Sequence, residues 1–192
     1  MIVCVYRDVF PSSRCLFMYR DAVKIAKSGY RMSMAYPSLR LLYLLGYISG
    51  YMTKVMVESI GFDGSDFRMR LENDLMFGVI MYAIPTASYL DLRRRGFDVS
   101  AVRYEDLVAR PVDMCRVVLE FCHLPVSLAE LAVKAFDVDS QRDSFIAKSA
   151  IGHFKEPQLT PETQVKLNEM LKKFGLPLIG EPDTIEGTLS CS

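Results

Sequence analysis

The sequence has no surplus of charge of either sign, because its 23 Lys and Arg residues are balanced by 23 Asp and Glu residues. The balance is uneven along the chain: residues 1–54 contain eight basic and two acidic residues, and the remainder contains 15 and 21. A nucleic-acid-binding protein is expected to carry a broader basic face. The composition therefore argues against nucleic acid and favours a small polyanionic ligand near the amino-terminal part.

Cysteine patterns typical of disulfide scaffolds or metal sites are also lacking. The five cysteines are an odd number and include no Cys-x-x-Cys pair. Cys115 and Cys122 lie seven residues apart on a predicted helix, where they are expected to pack as small apolar side chains. No Asn-x-Ser/Thr glycosylation site occurs. We interpret the cysteines as reduced thiols, predict no metal, and expect a cytoplasmic protein.

No hydrophobic run reaches the length of about 18 residues that indicates a membrane span. The two longest uncharged runs, residues 41–53 and 75–90, stay below it, and Pro85 interrupts the second. Arg7 and Asp8 interrupt the apolar amino terminus too early for a signal peptide. We therefore predict no membrane span and interpret both runs as buried helices.

What the chain does contain is a strand that runs directly into a helix, over residues 10–34. Cys15–Tyr19 is a short apolar run of the kind found in strands covered on both faces. Arg20 follows the strand, and Asp21 is placed to cap the helix after it. In open α/β sheets, ligands bind at the carboxyl ends of strands. Arg20 is therefore predicted to lie at a binding rim.

A second strand followed by a helix is predicted later in the chain. Residues 98–104 are predicted to form a strand, with Val99, Ala101 and Val102 apolar and Tyr104 at its end, and Pro111 then begins a helix at the position that proline favours. With 51% hydrophobic residues in 192, the chain can bury one core, so we expect a single domain over residues 1–180. Residues 181–192 are expected to form a loose tail.

These two segments together resemble the sulfotransferases that use 3′-phosphoadenosine 5′-phosphosulfate (PAPS) as sulfuryl donor. Seven residues separate Arg20 from Ser28, as in the family's 3′-phosphate signature. The second segment contains Tyr-Glu-Asp-Leu from Tyr104 and then Phe-x-x-Leu-Pro. The resemblance implies a P-loop NTPase-like α/β fold, present in part, with parallel strands flanked by many helices. It also implies sulfuryl transfer from PAPS to an acceptor hydroxyl or amine on a small molecule or carbohydrate.

The resemblance assigns roles to four residues. Arg20 and Ser28 would hold the 3′-phosphate, and Tyr104 would lie near the adenosine. Residues 147–155 are similar to the family's basic closing loop, in which Lys148 would supply charge to the phosphate. That loop departs from the family pattern, because Phe154 replaces a Trp and two other positions differ.

Two parts that the family needs for catalysis have no counterpart in this sequence. There is no phosphate loop, and His123 and His153 lie in the wrong segments to be the base. We therefore assign no catalytic residue and expect this chain alone to be inactive. The alternative is a non-catalytic protein that binds a bisphosphate or a protein partner. Another P-loop enzyme is disfavoured because neither Walker motif is present. A homodimer stays open, as does the Golgi lumen if an anchor precedes the chain.

Overall fold

A computed structural model describes residues 14–49, 51–58, 65, 71–137 and 152–191. The elements in chain order are β1 (Cys15–Tyr19), α1 (Ala22–Ala35), α2 (Pro37–Ile48), α3 (Tyr51–Glu58), α4 (Met76–Arg94), β2 (Val99–Arg103), α5 (Tyr104–Ala109), α6 (Pro111–Phe121), α7 (Ala129–Val133) and α8 (Pro161–Lys173). Short 3-10 turns flank α7 at Val126–Leu128 and Lys134–Asp137. The protein is of mixed α/β type, and most of its described elements are helices.

The chain divides into two compact units, each assembled from segments that are distant in sequence. Among the described residues, the first unit contains 21–88 and 152–183, and the second contains 14–20, 89–137 and 184–191. Helix α4 contributes to both, since the division falls between Ser88 and Tyr89. That residues 1–180 form one domain stays a prediction.

The second unit contains the sheet, in which β1 and β2 run parallel. The register pairs Tyr19 with Arg103, so the two strands end level with each other. Ala101 and Val102 are fully buried, as expected for a strand that is covered on both faces. Both strands predicted from the sequence are confirmed, but β1 is not covered on both faces as expected, because Met18 is 54% exposed.

The helices that follow β2 build the core of the second unit. This core consists of Val102, Leu107, Met114, Cys115 and Ala129, with Leu16, Val118, Leu119, Leu189 and Cys191 packed against it. Burial raises the pKa of the Cys115 thiol, so this thiol stays neutral. The prediction that Cys115 packs as an apolar side chain is confirmed.

Helix α6 ends in a left-handed cap at His123. Its φ is 58°, and the Leu124 N–H donates to the Leu119 carbonyl at 2.8 Å, as in a Schellman motif. Gly96 and Gly175 take the same position after α4 and α8, with φ of 79° and 65°. The interpretation of His123 as a cap residue is confirmed.

The carboxyl-terminal residues of the second unit are bonded to β2, which differs from the loose tail expected at 181–192. Ala101 donates its N–H to the Gly187 carbonyl at 2.9 Å, and Leu189 donates to the Ala101 carbonyl at 2.8 Å. Tyr89 also donates its hydroxyl to the Glu186 carbonyl at 2.9 Å. Backbone pairing to a buried strand is not visible in the local composition of this segment, which resembles that of a disordered end.

The first unit is helical in its described part. Asp21 caps α1 as predicted, because its carboxylate accepts from the Lys24 N–H at 2.8 Å. Helices α1 and α4 approach at two glycines: a Cβ added to Gly78 would lie 2.4 Å from the Ala26 Cα, and one added to Gly29 would lie 3.2 Å from the Gly78 Cα. The two backbones are therefore in direct contact.

The two uncharged runs differ in the structure. Residues 75–80 are all buried, and α4 continues through Pro85, which lies with Met81 on the exposed side of the helix. The first run is helical over residues 41–48 and 51–53, but four of its aliphatic side chains are exposed: Leu41, Leu44, Leu45 and Ile48. The prediction of two buried helices is therefore correct for the second run and wrong for these residues of the first. Periodicity identifies an apolar helix but not whether another element covers it.

Helix α8 has the boundaries that its capping residues predict. Thr160 accepts from the Thr163 N–H at 3.2 Å, Pro161 is the first helical residue, and Gly175 follows the end. Leu167, Met170 and Leu171 form its buried face. On its exposed side, the Lys166 amino group lies 2.8 Å from the Glu72 carboxylate, and this contact raises the pKa of Lys166.

Candidate functional site at the carboxyl edge of the sheet

The candidate site begins with the register of the two parallel strands. Because Tyr19 and Arg103 are the last paired residues, Arg20 and Tyr104 are the first residues after the two strands. Neighbouring parallel strands bring such residues to one edge of the sheet. Arg20 and Tyr104 were assigned to the donor site separately, from two motifs more than 80 positions apart in the sequence. The structure brings these two residues into contact.

The contact between Arg20 and Tyr104 is a cation–π interaction. The Arg20 Cζ lies 4.9 Å from the centroid of the Tyr104 ring. Such stacking is worth about 0.5–1 kcal/mol at an exposed site, which is enough to favour one orientation of the guanidinium. The Arg20 side chain nevertheless remains 42% exposed, so this cation can still be reached from solvent.

Glu105 completes the cluster. Its Oε1 lies 3.5 Å from the Arg20 Nε. That nitrogen is out of contact with solvent and makes no hydrogen bond, so the contact with Glu105 is ionic only. An ion pair with an exposed partner contributes little to stability, about 0–1 kcal/mol. Glu105 therefore reduces the positive potential around Arg20 but does not hold the guanidinium firmly in one position.

A second ion pair lies at the same edge. The Arg103 guanidinium is 3.4 Å from the Asp106 carboxylate, three residues ahead in the first turn of α5. Arg20 and residues 103–106 together include two arginines and two carboxylates. Their formal charges cancel, so an anion that binds here must displace a carboxylate from one of the two arginines.

The Tyr19 side chain links the end of β1 to the carboxyl-terminal segment through hydrogen bonds. Its hydroxyl accepts from the Ile185 N–H at 3.4 Å and lies 2.9 Å from the Thr188 hydroxyl. Since Thr188 donates its own proton to the Ile185 carbonyl at 2.7 Å, Tyr19 is the donor to Thr188. The bonded carboxyl-terminal segment thus positions the residue that precedes Arg20.

The other two residues assigned to the donor site belong to other parts of the chain. Ser28 is half-buried in α1 of the first unit, and its pairing with Arg20 stays a prediction. Lys148 lies outside the described residues. The cluster that the structure describes is therefore Arg20, Tyr104 and Glu105.

Glu105 is the member of this cluster that sequence reasoning missed. Glu105 and Asp106 both lie in the first turn of α5, where the helix dipole favours acids. That local preference accounts for acidic residues here but predicts no ion pair with an arginine. The ion pair between Glu105 and Arg20 follows from the parallel pairing of the strands, which places the residue after Tyr104 beside the residue after Tyr19.

The two histidines of the sequence lie in segments outside this cluster. His123 is the cap of α6, and the His153 ring lies 4.1 Å from the Phe154 ring. Within residues 14–49, 51–58, 65, 71–137 and 152–191, no group of three or more His, Cys, Asp or Glu side chains could hold a metal ion. In the same part of the chain, no helix is long and apolar enough to cross a membrane.

The cluster offers groups that can bind an anion and an aromatic base. Arg20 offers a planar cation for phosphate or sulfate, and the exposed Tyr104 ring offers a surface for a base. No protein-family model, no curated protein and no solved structure matches this chain.

Proposed function

We propose that this chain binds a 3′-phosphoadenosine nucleotide at the carboxyl edge of β1 and β2, as the donor-binding part of a PAPS-dependent sulfotransferase. The observation that carries the proposal is the stacking of the Arg20 guanidinium on the Tyr104 ring. Two residues that the family resemblance assigns to the same ligand are thereby in contact. The sulfotransferase form of the P-loop NTPase-like fold is part of the proposal.

The two side chains have complementary tasks. The Arg20 guanidinium is always charged and can donate two parallel hydrogen bonds to phosphate oxygens. One face of the Tyr104 ring meets Arg20, and the adenine would stack on the exposed remainder of the ring. Ser28 and Lys148 would add a hydroxyl and a second cation to the 3′-phosphate.

The ion pair between Glu105 and Arg20 opposes the binding of a phosphate. A phosphate must separate Arg20 from the carboxylate that lies 3.5 Å from its Nε. Glu105 would then be left beside an anion, and the two like charges would repel each other. We therefore expect weak affinity, and we expect it to rise when the charge of Glu105 is removed.

The reaction implied by the resemblance is an in-line transfer of the sulfuryl group. The acceptor oxygen or nitrogen forms a bond to sulfur while the bond from sulfur to the 5′-phosphate oxygen of PAPS breaks. A base takes the acceptor proton, and 3′-phosphoadenosine 5′-phosphate leaves with the electron pair. Arg20 and Tyr104 hold the donor during this step and touch none of the reacting atoms.

A second candidate function is binding without catalysis. The resemblance assigns no base in this sequence, because His123 and His153 lie in the wrong segments. A chain of this kind would bind the bisphosphate and transfer nothing. Incubation with ³⁵S-labelled PAPS and a mixture of phenolic and carbohydrate acceptors separates the two candidates, because only the enzyme yields a labelled acceptor.

The test of the binding site is calorimetric titration with 3′-phosphoadenosine 5′-phosphate. Arg20→Ala should weaken binding by about tenfold or more, because it removes a charge-assisted bond worth about 1.5–3 kcal/mol. Glu105→Gln should strengthen binding a few-fold. The matched control is Arg14→Ala: Arg14 lies at the opposite end of β1, with its Cζ 5.2 Å from the Phe121 ring centroid.

The control separates a site from a general charge effect. Arg14 and Arg20 carry the same charge and make the same kind of contact, so Arg14→Ala should leave the affinity unchanged. Equal losses in both variants would mean that the nucleotide responds only to net charge. No binding by a folded wild-type chain would refute the site and the proposed function together.

A further inference from the structure

Helix α1 carries two cations that meet at one carboxylate. Lys27 and Arg31 lie four residues apart and therefore on the same face of the helix. The Glu156 carboxylate contacts both of them. One of its oxygens is 3.0 Å from the Arg31 Nη1, and the other is 3.6 Å from the Lys27 Nζ. All three residues belong to the first unit. We call Lys27 and Arg31 the basic pair.

The carboxylate leaves part of the binding capacity of the basic pair unused. Two positive charges face one negative charge, so the three side chains together keep a net positive charge. The Arg31 Nε is out of contact with solvent and makes no hydrogen bond, although buried donors are normally paired. A carboxylate has two oxygens in one plane, whereas phosphate and sulfate present oxygens in several directions. Such an anion can accept from the Arg31 Nη1 and Nε and still contact the Lys27 amino group.

Glu156 is placed where an external anion can displace it. It belongs to residues 152–159, which form neither a helix nor a strand. In the described part of the chain, the contacts of Glu156 with the basic pair are the only hydrogen bonds or ion pairs that join this segment to another element. The three side chains are between 28% and 39% exposed, and ion pairs with this much access to water are weak. The carboxylate can therefore leave without disrupting a buried contact.

We propose that the basic pair is a binding site for a phosphate or sulfate group, and that Glu156 occupies this site as an internal competitor. The bound group would accept hydrogen bonds from both cations, and the Glu156 carboxylate would move into solvent. Neither member of the basic pair is assigned to the nucleotide, so the site does not depend on the proposed function. Because the carboxylate must leave first, we expect dissociation constants in the millimolar range.

The test is a titration with inorganic phosphate at constant ionic strength, followed through the amide chemical shifts of Lys27 and Arg31 in NMR spectra. The wild-type chain should show saturable shifts at both residues. Arg31→Gln should weaken binding by about tenfold or more, because it removes a charge-assisted bond. Glu156→Gln should strengthen binding by about two- to fivefold, because it removes an exposed ion pair that competes with phosphate. Misfolding could not produce such a gain in affinity.

A matched control uses Asp113 on α6, whose carboxylate lies 3.5 Å from the Arg116 guanidinium. Asp113→Asn makes the same change in net charge as Glu156→Gln and also frees an arginine, but it should leave the phosphate affinity unchanged. An equal gain in both variants would show that phosphate responds only to net charge, which would overturn the proposal. So would the absence of shifts at the basic pair in both the wild-type chain and Glu156→Gln. Binding that is lost in Arg20→Ala but kept in Arg31→Gln would place the phosphate at the sheet edge and refute the site on α1.

A second set of titrations distinguishes two sources of the ligand. Inorganic phosphate and sulfate represent a free anion, whereas glucose 6-phosphate and glucose 6-sulfate represent an ester on a small molecule. Tighter binding of the esters would identify an ester as the ligand, and equal or weaker binding would identify the free anion. Shifts at the basic pair with none of the four compounds would overturn the proposal.

Discussion

Helices α2 and α4 derive from two similar stretches of sequence and have opposite environments. Each contains an uncharged run that is rich in large apolar side chains, residues 41–48 in α2 and 76–90 in α4. Ile80 of α4 is 1% exposed, whereas Ile48 of α2 is 68% exposed. The difference shows that apolar content predicts the need for a partner surface but does not supply one. Helix α4 finds its partners within the chain, and α2 keeps four aliphatic side chains exposed.

The largest expected effect comes from the two matched isoleucines. Ile80→Ala should lower the free energy of unfolding by about 3 kcal/mol, because it removes buried methyl groups and leaves a cavity. Ile48→Ala should change it by less than about 0.5 kcal/mol. Urea unfolding curves with equal slopes would measure both. If Ile80→Ala does not fold, Ile80→Val should lose about 1 kcal/mol. Equal losses at positions 48 and 80 would contradict the distinction between the two helices.

The next effect concerns the close approach of α4 to α1. Gly78→Ala would place a Cβ 2.4 Å from the Ala26 Cα, so the helices must separate, at a cost of about 2 kcal/mol. Gly29→Ala meets the Gly78 Cα at 3.2 Å, and the better helix propensity of Ala offsets that contact. Thermal unfolding should therefore show a clear fall in melting temperature for Gly78→Ala and little change for Gly29→Ala. A stabilised Gly78→Ala variant would mean that the helices are not in contact there.

The smallest effect compares two tyrosines, Tyr89 in α4 and Tyr51 in α3. Burial raises the pKa of Tyr89, whose hydroxyl donates to the Glu186 carbonyl. Tyr89→Phe should cost about 1 kcal/mol at neutral pH through loss of that bond. Tyr51→Phe, at an exposed position, should cost nothing measurable.

The pH dependence of the same pair follows from linkage. The unfolded chain ionises Tyr89 near its ordinary value of about 10, whereas the folded chain holds the proton to higher pH. The contribution of Tyr89 is therefore complete below about pH 10 and is lost as the pH rises through the raised folded pKa. The stability gap between wild type and Tyr89→Phe should narrow above pH 10. A gap that stays constant to pH 12 would show that the Tyr89 hydroxyl does not resist ionisation.

Part of the candidate site could be predicted from short motifs. Arg20 and Tyr104 each follow an apolar strand, and strand ends are where α/β sheets bind ligands. Their contact required the parallel register of β1 with β2, which no local pattern contains. The ion pair of Glu105 with Arg20 has the same origin. Its residues lie more than 80 positions apart and meet only because the strands do.

The sequence by itself determined what depends on a few neighbouring residues. Asp21 and Thr160 cap their helices, Gly96 and Gly175 end theirs, and β1 is a strand formed by five successive apolar residues. Only the tertiary structure decided which apolar surfaces are covered and where the carboxyl-terminal segment lies. Capping and propensity act over one helical turn, whereas burial and strand pairing depend on residues that are distant in sequence. Glu186, bonded to Tyr89, could not have been placed by any property of its neighbours.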